Sequence, residues 1–123
     1  MVIVECVASV ETLIREAAEF QKTASFSALH ARFPEGTPAQ HVYDTLEAAC
    51  AQLAPWTEAI YSVVLAKKET DLPGDGFFDI FRIHREAEYT DIGGKGTTLS
   101  LSPDQKKQMV ALERSRVYAH ALR

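Results

Sequence analysis

The stretch that most constrains this chain runs from Pro55 to Ile83, PWTEAIYSVVLAKKETDLPGDGFFDIFRI. It holds the only Trp and the longest apolar run, Ala59 to Ala66. Lys67 and Lys68 follow that run, and then comes a turn punctuated by Pro73, Gly74 and Gly76. A short β-rich run bounded by turn residues reads as a buried strand rather than a helix. Beyond the turn, Asp75 can cap a helix over about 76–88. In it Phe77, Ile80, Phe81, His84 and Ala87 share one face, with Asp79, Arg82, Arg85, Glu86 and Glu88 outside. A strand over 77–83 competes, because Phe77, Phe81 and Ile83 share one parity. The continuation of the stripe through His84 and Ala87 favours the helix.

Three helical patterns precede this stretch. Over 9–22, Val10, Leu13, Ile14, Ala17 and Ala18 recur on one face, with Ser9 as the expected cap. The leading MVIVECV is either a short strand or the entry to that helix. A short helix over about 24–33 starts at Ser25 and stops before Pro34. A longer one, about 38–53, begins with Thr37 as the cap and Pro38 at its first position and ends at Pro55. After the central stretch, residues 89–101 carry three glycines and read as a loop, with TTLSL as a short strand. Ser102, Pro103 and Gln105 then spell a capping box for a last helix over 103–121. Its inward residues are expected to be Met109, Leu112 and Val117.

This pattern predicts one domain, 1–123, of α+β class and mostly helical, with about four to five helices and a short β-hairpin or small sheet. The helices at 24–33 and 38–53 fit a helix-turn-helix, so the architecture is expected to be winged-helix-like. The longer helix would then display Gln40 and His41, although Asp44 and Glu47 on the same helix repel phosphate.

The formal charge of -4 argues against a surface that binds nucleic acid on every side. The basic residues are concentrated, however. Lys67 and Lys68 follow the apolar run, and Lys106, Lys107, Arg114 and Arg116 lie in the last helix. These six, with Gln40 and His41, are the candidate nucleic-acid contacts. The competing reading of the basic helix is a solvated face. No apolar stretch approaches the roughly 20 residues of a membrane span. The N-terminus lacks the basic start of a secretory signal. A cytoplasmic chain with its two cysteines, Cys6 and Cys50, reduced and buried is the expectation.

Chemical motifs are absent. The four histidines are scattered and no C-x-x-C occurs, so neither a metal nor any other cofactor is expected. His84 on an apolar face reads as a hydrogen-bonded core histidine. The GGKGTT segment fails as a phosphate loop, because Tyr89 stands where the first glycine is required and Gly96 where Ser or Thr must be. No G-x-S-x-G is present, and no catalytic residue is assigned.

The central stretch resembles a family of small bacterial chromosomal, plasmid and prophage proteins with the pattern L-V-V-N-K-x-T-G-L-P-G-x-G-F. Val64, Leu65 and Ala66 take its apolar positions, and Lys68, Thr70, Leu72, Pro73, Gly74, Gly76 and Phe77 match it directly. Lys67 stands in place of Asn, and Asp71 in place of Gly. Glu113, Arg114, Val117 and Tyr118 are similar to the family's closing E-R-x-x-V-F-x-x-D, whose last Asp is missing. The likeness covers residues 23–83 and the C-terminal segment. It implies a mobile-element setting and an architecture, not an activity.

The helical layout is also similar to the winged-helix-like domain of alkyltransferase-like proteins, without the Pro-Cys-His-Arg motif of alkyl transfer. Arg114 and His120 resemble the R-x(4–6)-H signature of HEPN ribonucleases, which implies an Arg and a His acting on RNA at a helical dimer interface. An all-helical HEPN fold conflicts with the expected strand.

Two functions therefore compete, with the HEPN-type ribonuclease as a weaker third. One is a non-catalytic, winged-helix-like protein that binds nucleic acid or regulates. The other is a protein–protein interaction module (an inhibitor, immunity or accessory protein), with Tyr43, Trp56 and Tyr89 as exposed anchors. The partner is a nucleic acid or a protein and not a membrane, and a homodimer is compatible with either reading.

Overall fold

The 59–65 run is threaded between three helices and supplies the middle of the core. The computed structural model describes residues 1–123. In chain order its elements are α1 (Val4–Glu19), β1 (Ala24–Ser25), α2 (Phe26–His30), α3 (Ala39–Leu53), β2 (Leu65–Ala66), α4 (Asp75–His84), α5 (Glu86–Gly93) and α6 (Pro103–Ala121). Single 3-10 turns occupy Tyr61–Val64 and Thr98–Ser100. The chain is mostly helical, with six α-helices rather than four or five. Its sheet is a parallel pair in which Ala24 faces Leu65 and Ser25 faces Ala66. A β-hairpin requires an antiparallel pair, so the expected hairpin is not formed and the small sheet stands in its place. No helix is long and apolar enough to cross a membrane.

α1 buries Cys6, Val10, Ile14 and Ala18, one residue per turn, and packs chiefly against α3. It starts earlier than Ser9. The first helical residues are Val4 and Glu5, and the Ile3 N–H donates to Thr45 Oγ1 of α3 at 2.8 Å. Its end is a Schellman arrangement: Lys22 N–H donates to Ala17 O and Gln21 N–H to Ala18 O, with Gln21 at φ +54°. Ser25 caps α2 as expected, accepting from Ala28 N–H at 3.0 Å. Thr37 does not cap α3, because its hydroxyl donates back to Pro34 O. Both cysteines are free and buried, and burial pushes the Cys50 thiol far up.

The 59–66 run departs most from its expected conformation. Ala59 through Leu65 are all buried, as the composition demands. Yet only Leu65 and Ala66 are strand, because a strand needs a backbone partner along its length and β1 supplies two residues. Three further backbone groups of the run, the Ile60 N–H and the Val63 and Leu65 carbonyls, turn to side chains of α6.

The region after the turn is two helices rather than one. α4 buries Phe77, Phe78 and Phe81. It breaks at Arg85, which has φ -129° and ψ 47°. α5 then extends over 89–93, which were expected to be a loop, and TTLSL forms a 3-10 turn, not a strand. Gly93 closes α5 because a Cβ there would lie 2.6 Å from Leu101 Cδ2 and 3.0 Å from Met109 Cε. Nor does Asp75 cap α4: Gly74 takes that position. Ser102 and Gln105 do form the reciprocal capping box of α6.

Candidate functional site

Of the eight candidate nucleic-acid contacts, three line one cleft and two are turned into the protein. Gln40, Lys67 and Lys68 lie around an opening of about 570 Å³ between α2, α3, the exit of β2 and the start of α4. That size falls within the roughly 300–1,000 Å³ of ligand-binding clefts. Gln40 is exposed and donates to Asp44 Oδ1 one turn along α3. Asp44 also holds the N-terminal ammonium, and the hydrogen bond from that ammonium lowers its pKa. His41 is half-buried, and its carbonyl accepts from Thr45 Oγ1. Lys106 sits over the Phe78 ring, 5.5 Å from its centroid. Lys107 is exposed on the first turns of α6.

Arg114 and Arg116 are structural. Arg114 Nε donates to Val63 O at 2.9 Å, and its Nη2 to Leu65 O at 3.2 Å and Asp71 O at 2.8 Å. Its Nη1 meets the Asp71 carboxylate at 3.1 Å. One side chain thus satisfies the carbonyls that a neighbouring strand would otherwise take. Glu113, with no exposed surface, accepts from Ile60 N–H at 3.0 Å and pairs with Arg85 at 3.1 Å. Arg116 bonds Glu113 and also grips Glu88 at 2.9 Å and 3.0 Å. Burial works against the Arg116 charge, but Glu113 and Glu88 outweigh it and raise its pKa.

A buried ionic chain of this kind is tolerated only when every member is paired. Arg85, expected outside, is therefore inside. Leu112, expected inside, is 42% exposed, because the inward stripe of α6 runs Met109, Glu113, Val117.

Arg114 and His120 have no partner in common. His120 Nδ1 lies 2.7 Å from the Tyr61 hydroxyl, and its Nε2 is 3.4 Å from Glu58. His84 is half-buried at the end of α4, and its side chain makes no hydrogen bond. Among the proposed aromatic anchors, Tyr89 is buried and Trp56 is half-buried against the core. Tyr43 alone is exposed, on the outer face of α3.

Compared with family models, with curated proteins and with solved structures, the chain matches none.

The cleft has a mixed wall. Phe26 and Tyr43 stand edge to face with centroids 6.5 Å apart. Gly74 and Gly76 open the start of α4, and Glu47 Oε1 lies 3.7 Å from where a Cβ on Gly76 would be. Glu47 makes no ion pair, and partial burial, with Asp44 adding to it, raises its pKa. Ser62 also lines the cleft. It is 7% exposed, and its Oγ is the one buried side-chain polar atom of the protein without a hydrogen-bond partner. The sequence carried a signal for Ser62: it is the lone polar residue inside the apolar run. Glu47 gave none beyond its place on the outer face of α3.

Proposed function

We propose that the chain is a non-catalytic protein–protein interaction module that binds its partner through the cleft between α3 and the start of α4. The observation that carries this reading is the makeup of that cleft. It combines exposed aromatic surface at Tyr43 with carboxylates, lysines and an unpartnered buried hydroxyl. Protein interfaces favour aromatic anchors inside a polar rim. A surface built to hold phosphate would instead gather arginines, and here Arg85, Arg114 and Arg116 are bonded inside the fold.

A second reading rests on a separate observation. Lys67, Lys68, Lys106 and Lys107 have no ion-pair partner. In that reading α2 and α3 are the helix-turn-helix of a winged-helix-like nucleic-acid binder, and the lysines hold phosphates.

The two readings part in a paired experiment. The chain is used as bait in an extract of its native host, and in a gel-shift series at low salt. The module reading expects one protein retained in stoichiometric amount and no shift of DNA or RNA. A shift that collapses as salt is added, with no stoichiometric protein, overturns it in favour of the second reading.

A further inference from the structure

α6 has two faces poor in charge. Its inner face buries Met109, Val110 and Val117 around Glu113. Its outer face, from Gln108 through Ala111, Leu112, Ser115 and Ala119 to Leu122, carries no charged residue. At 3.6 residues per turn these six form one stripe roughly 100° wide about Ser115. A solvated helix face ordinarily takes the helix's charges, but Arg114 and Arg116 turn away from this one to Asp71 and Glu113. Leu112 is 42% exposed and Leu122 65%. A charge-free centre of this kind is the composition of an interface core. α5 lies along one flank of the stripe, where Arg116 bonds Glu88 and Gln105 Nε2 donates to Ile92 O at 3.2 Å. A groove of about 560 Å³ between the two helices is walled by Asp91, Ile92, Leu112 and Ser115.

The stripe is complementary to itself. When a second α6 is turned end for end about Ser115, Leu112 of one copy comes level with Ala119 of the other, and Leu122 with Ala111 and Gln108. Each leucine then meets an alanine, and the small residues let the two helices approach closely. Charge favours the same arrangement. Asp91 stands beside Gln108 and Ala111 on the α5 flank, and Arg123 follows the far end of the helix, on the side that faces Tyr61. Neither has an ion-pair partner. End-for-end pairing carries Arg123 of the second copy to Asp91, while Lys107 lies on the opposite flank. A parallel pairing would set Arg123 against Arg123 and leave Asp91 alone. We infer that α6 joins a second copy of the chain in an antiparallel, two-fold pair centred on Ser115. This face is separate from the cleft, none of whose walls comes from α5 or α6, so the pair leaves both clefts open.

The test is sedimentation velocity of the full chain from about 10 to about 500 μM. The mass is expected to rise from one chain towards two, with half-association on the order of 100 μM, because one helix face is smaller than the roughly 1,200–2,000 Å² of a stable interface. Ser115→Arg sets two guanidinium groups against each other at the two-fold and is expected to weaken association by roughly tenfold or more. Asp91→Arg and Arg123→Asp are each expected to weaken it by roughly threefold. Mixed in equal amounts, those two variants are expected to associate as the unchanged chain does, since each supplies the charge that the other has lost. All three positions are exposed, and unchanged melting curves show that the variants are folded.

A single-chain mass at every concentration overturns the inference. So does association that folded Ser115→Arg leaves unchanged, or growth beyond two chains, since a two-fold face closes on itself. A mixture of the Asp91 and Arg123 variants that associates no better than either alone also overturns it, because only the antiparallel pair brings those two residues together.

Discussion

Arg114 crosses from α6 to Asp71 and binds it twice, at the carboxylate (3.1 Å) and at the main-chain carbonyl (2.8 Å), while Asp71 itself holds a left-handed φ of +61°. The same guanidinium secures Val63 O and Leu65 O. It therefore fixes the apolar run and the loop that follows it in one grip. Removing it leaves buried carbonyls unpaired, at about 1–3 kcal/mol each. Arg114→Ala is expected to lose about 2–4 kcal/mol in urea unfolding. Arg114→Lys should recover less than half, because an ammonium is a point donor and not a planar fork. A loss below about 0.5 kcal/mol for the alanine variant would contradict the brace.

Asp71 carries a conformation that glycine adopts without strain, at the position where the resembled pattern has glycine. Its carboxylate is 73% exposed, so the ion pair with Arg114 contributes little. Asp71→Gly is expected to be neutral or stabilising by up to about 1 kcal/mol. Asp71→Val should cost about 1–2 kcal/mol through the same φ. Gln21, at φ +54°, is an independent instance, and Gln21→Gly should also stabilise. Denaturant midpoints of the three variants check the ordering, and an unfavourable glycine at both positions would refute it.

Glu113 anchors the ionic chain Arg85–Glu113–Arg116–Glu88 and also takes Ile60 N–H. Glu113→Ala leaves Arg85 without its carboxylate and the Ile60 N–H without its acceptor, while Arg116 keeps Glu88. The expected loss is about 3–5 kcal/mol, seen as a lower Tm. Glu113→Gln keeps the acceptor for Ile60 and should lose less. Equal losses for the two variants would show that the charge, and not the hydrogen bond to Ile60, governs this position.

How far these contacts were legible depended on how local they are. The capping box at Ser102, the cap at Ser25 and the stop near Pro55 are set by neighbours within a few residues, and the structure reproduces them. The apolar run was legible as buried but not in conformation. Its backbone partners are Glu113 and Arg114, about 50 positions away, and no local pattern announces a side chain standing in for a strand. The start of α1 was hidden for the same reason, since Thr45 of α3 takes the Ile3 N–H. The inward phase of α6 could have been read: Met109, Glu113 and Val117 are four apart, and only a partnered Glu belongs in such a stripe. The cleft was half legible. Gln40, Lys67 and Lys68 were singled out as nucleic-acid contacts, and the fold brings them to one opening beside Glu47 and Asp75.

Glu47 gives the cleft a pH signature. In the folded chain its carboxyl titrates above the ordinary value of 4.5, because of partial burial and then Asp44. The folded state thus holds that proton more tightly than the unfolded state. Its stabilising contribution is complete below the unfolded value and is lost as the pH rises through the folded one. Glu47→Gln removes the titration, so the variant should gain on the unchanged chain as the pH rises from the ordinary value of 4.5 upward. Melting curves across that range check it. A Tm difference that stays flat, or that moves against the variant with rising pH, would contradict the raised titration of Glu47.

The cleft between α3 and α4 is the surface on which a protein partner is expected to bind. The most direct measurement captures the native-host partner with the unchanged chain and with a Tyr43→Ala, Glu47→Lys double variant, each confirmed as folded by its melting curve. Both substitutions lie on the exposed face of α3. Stoichiometric capture by the unchanged chain and its loss from the variant is the predicted result. Equal capture by both would contradict the claim.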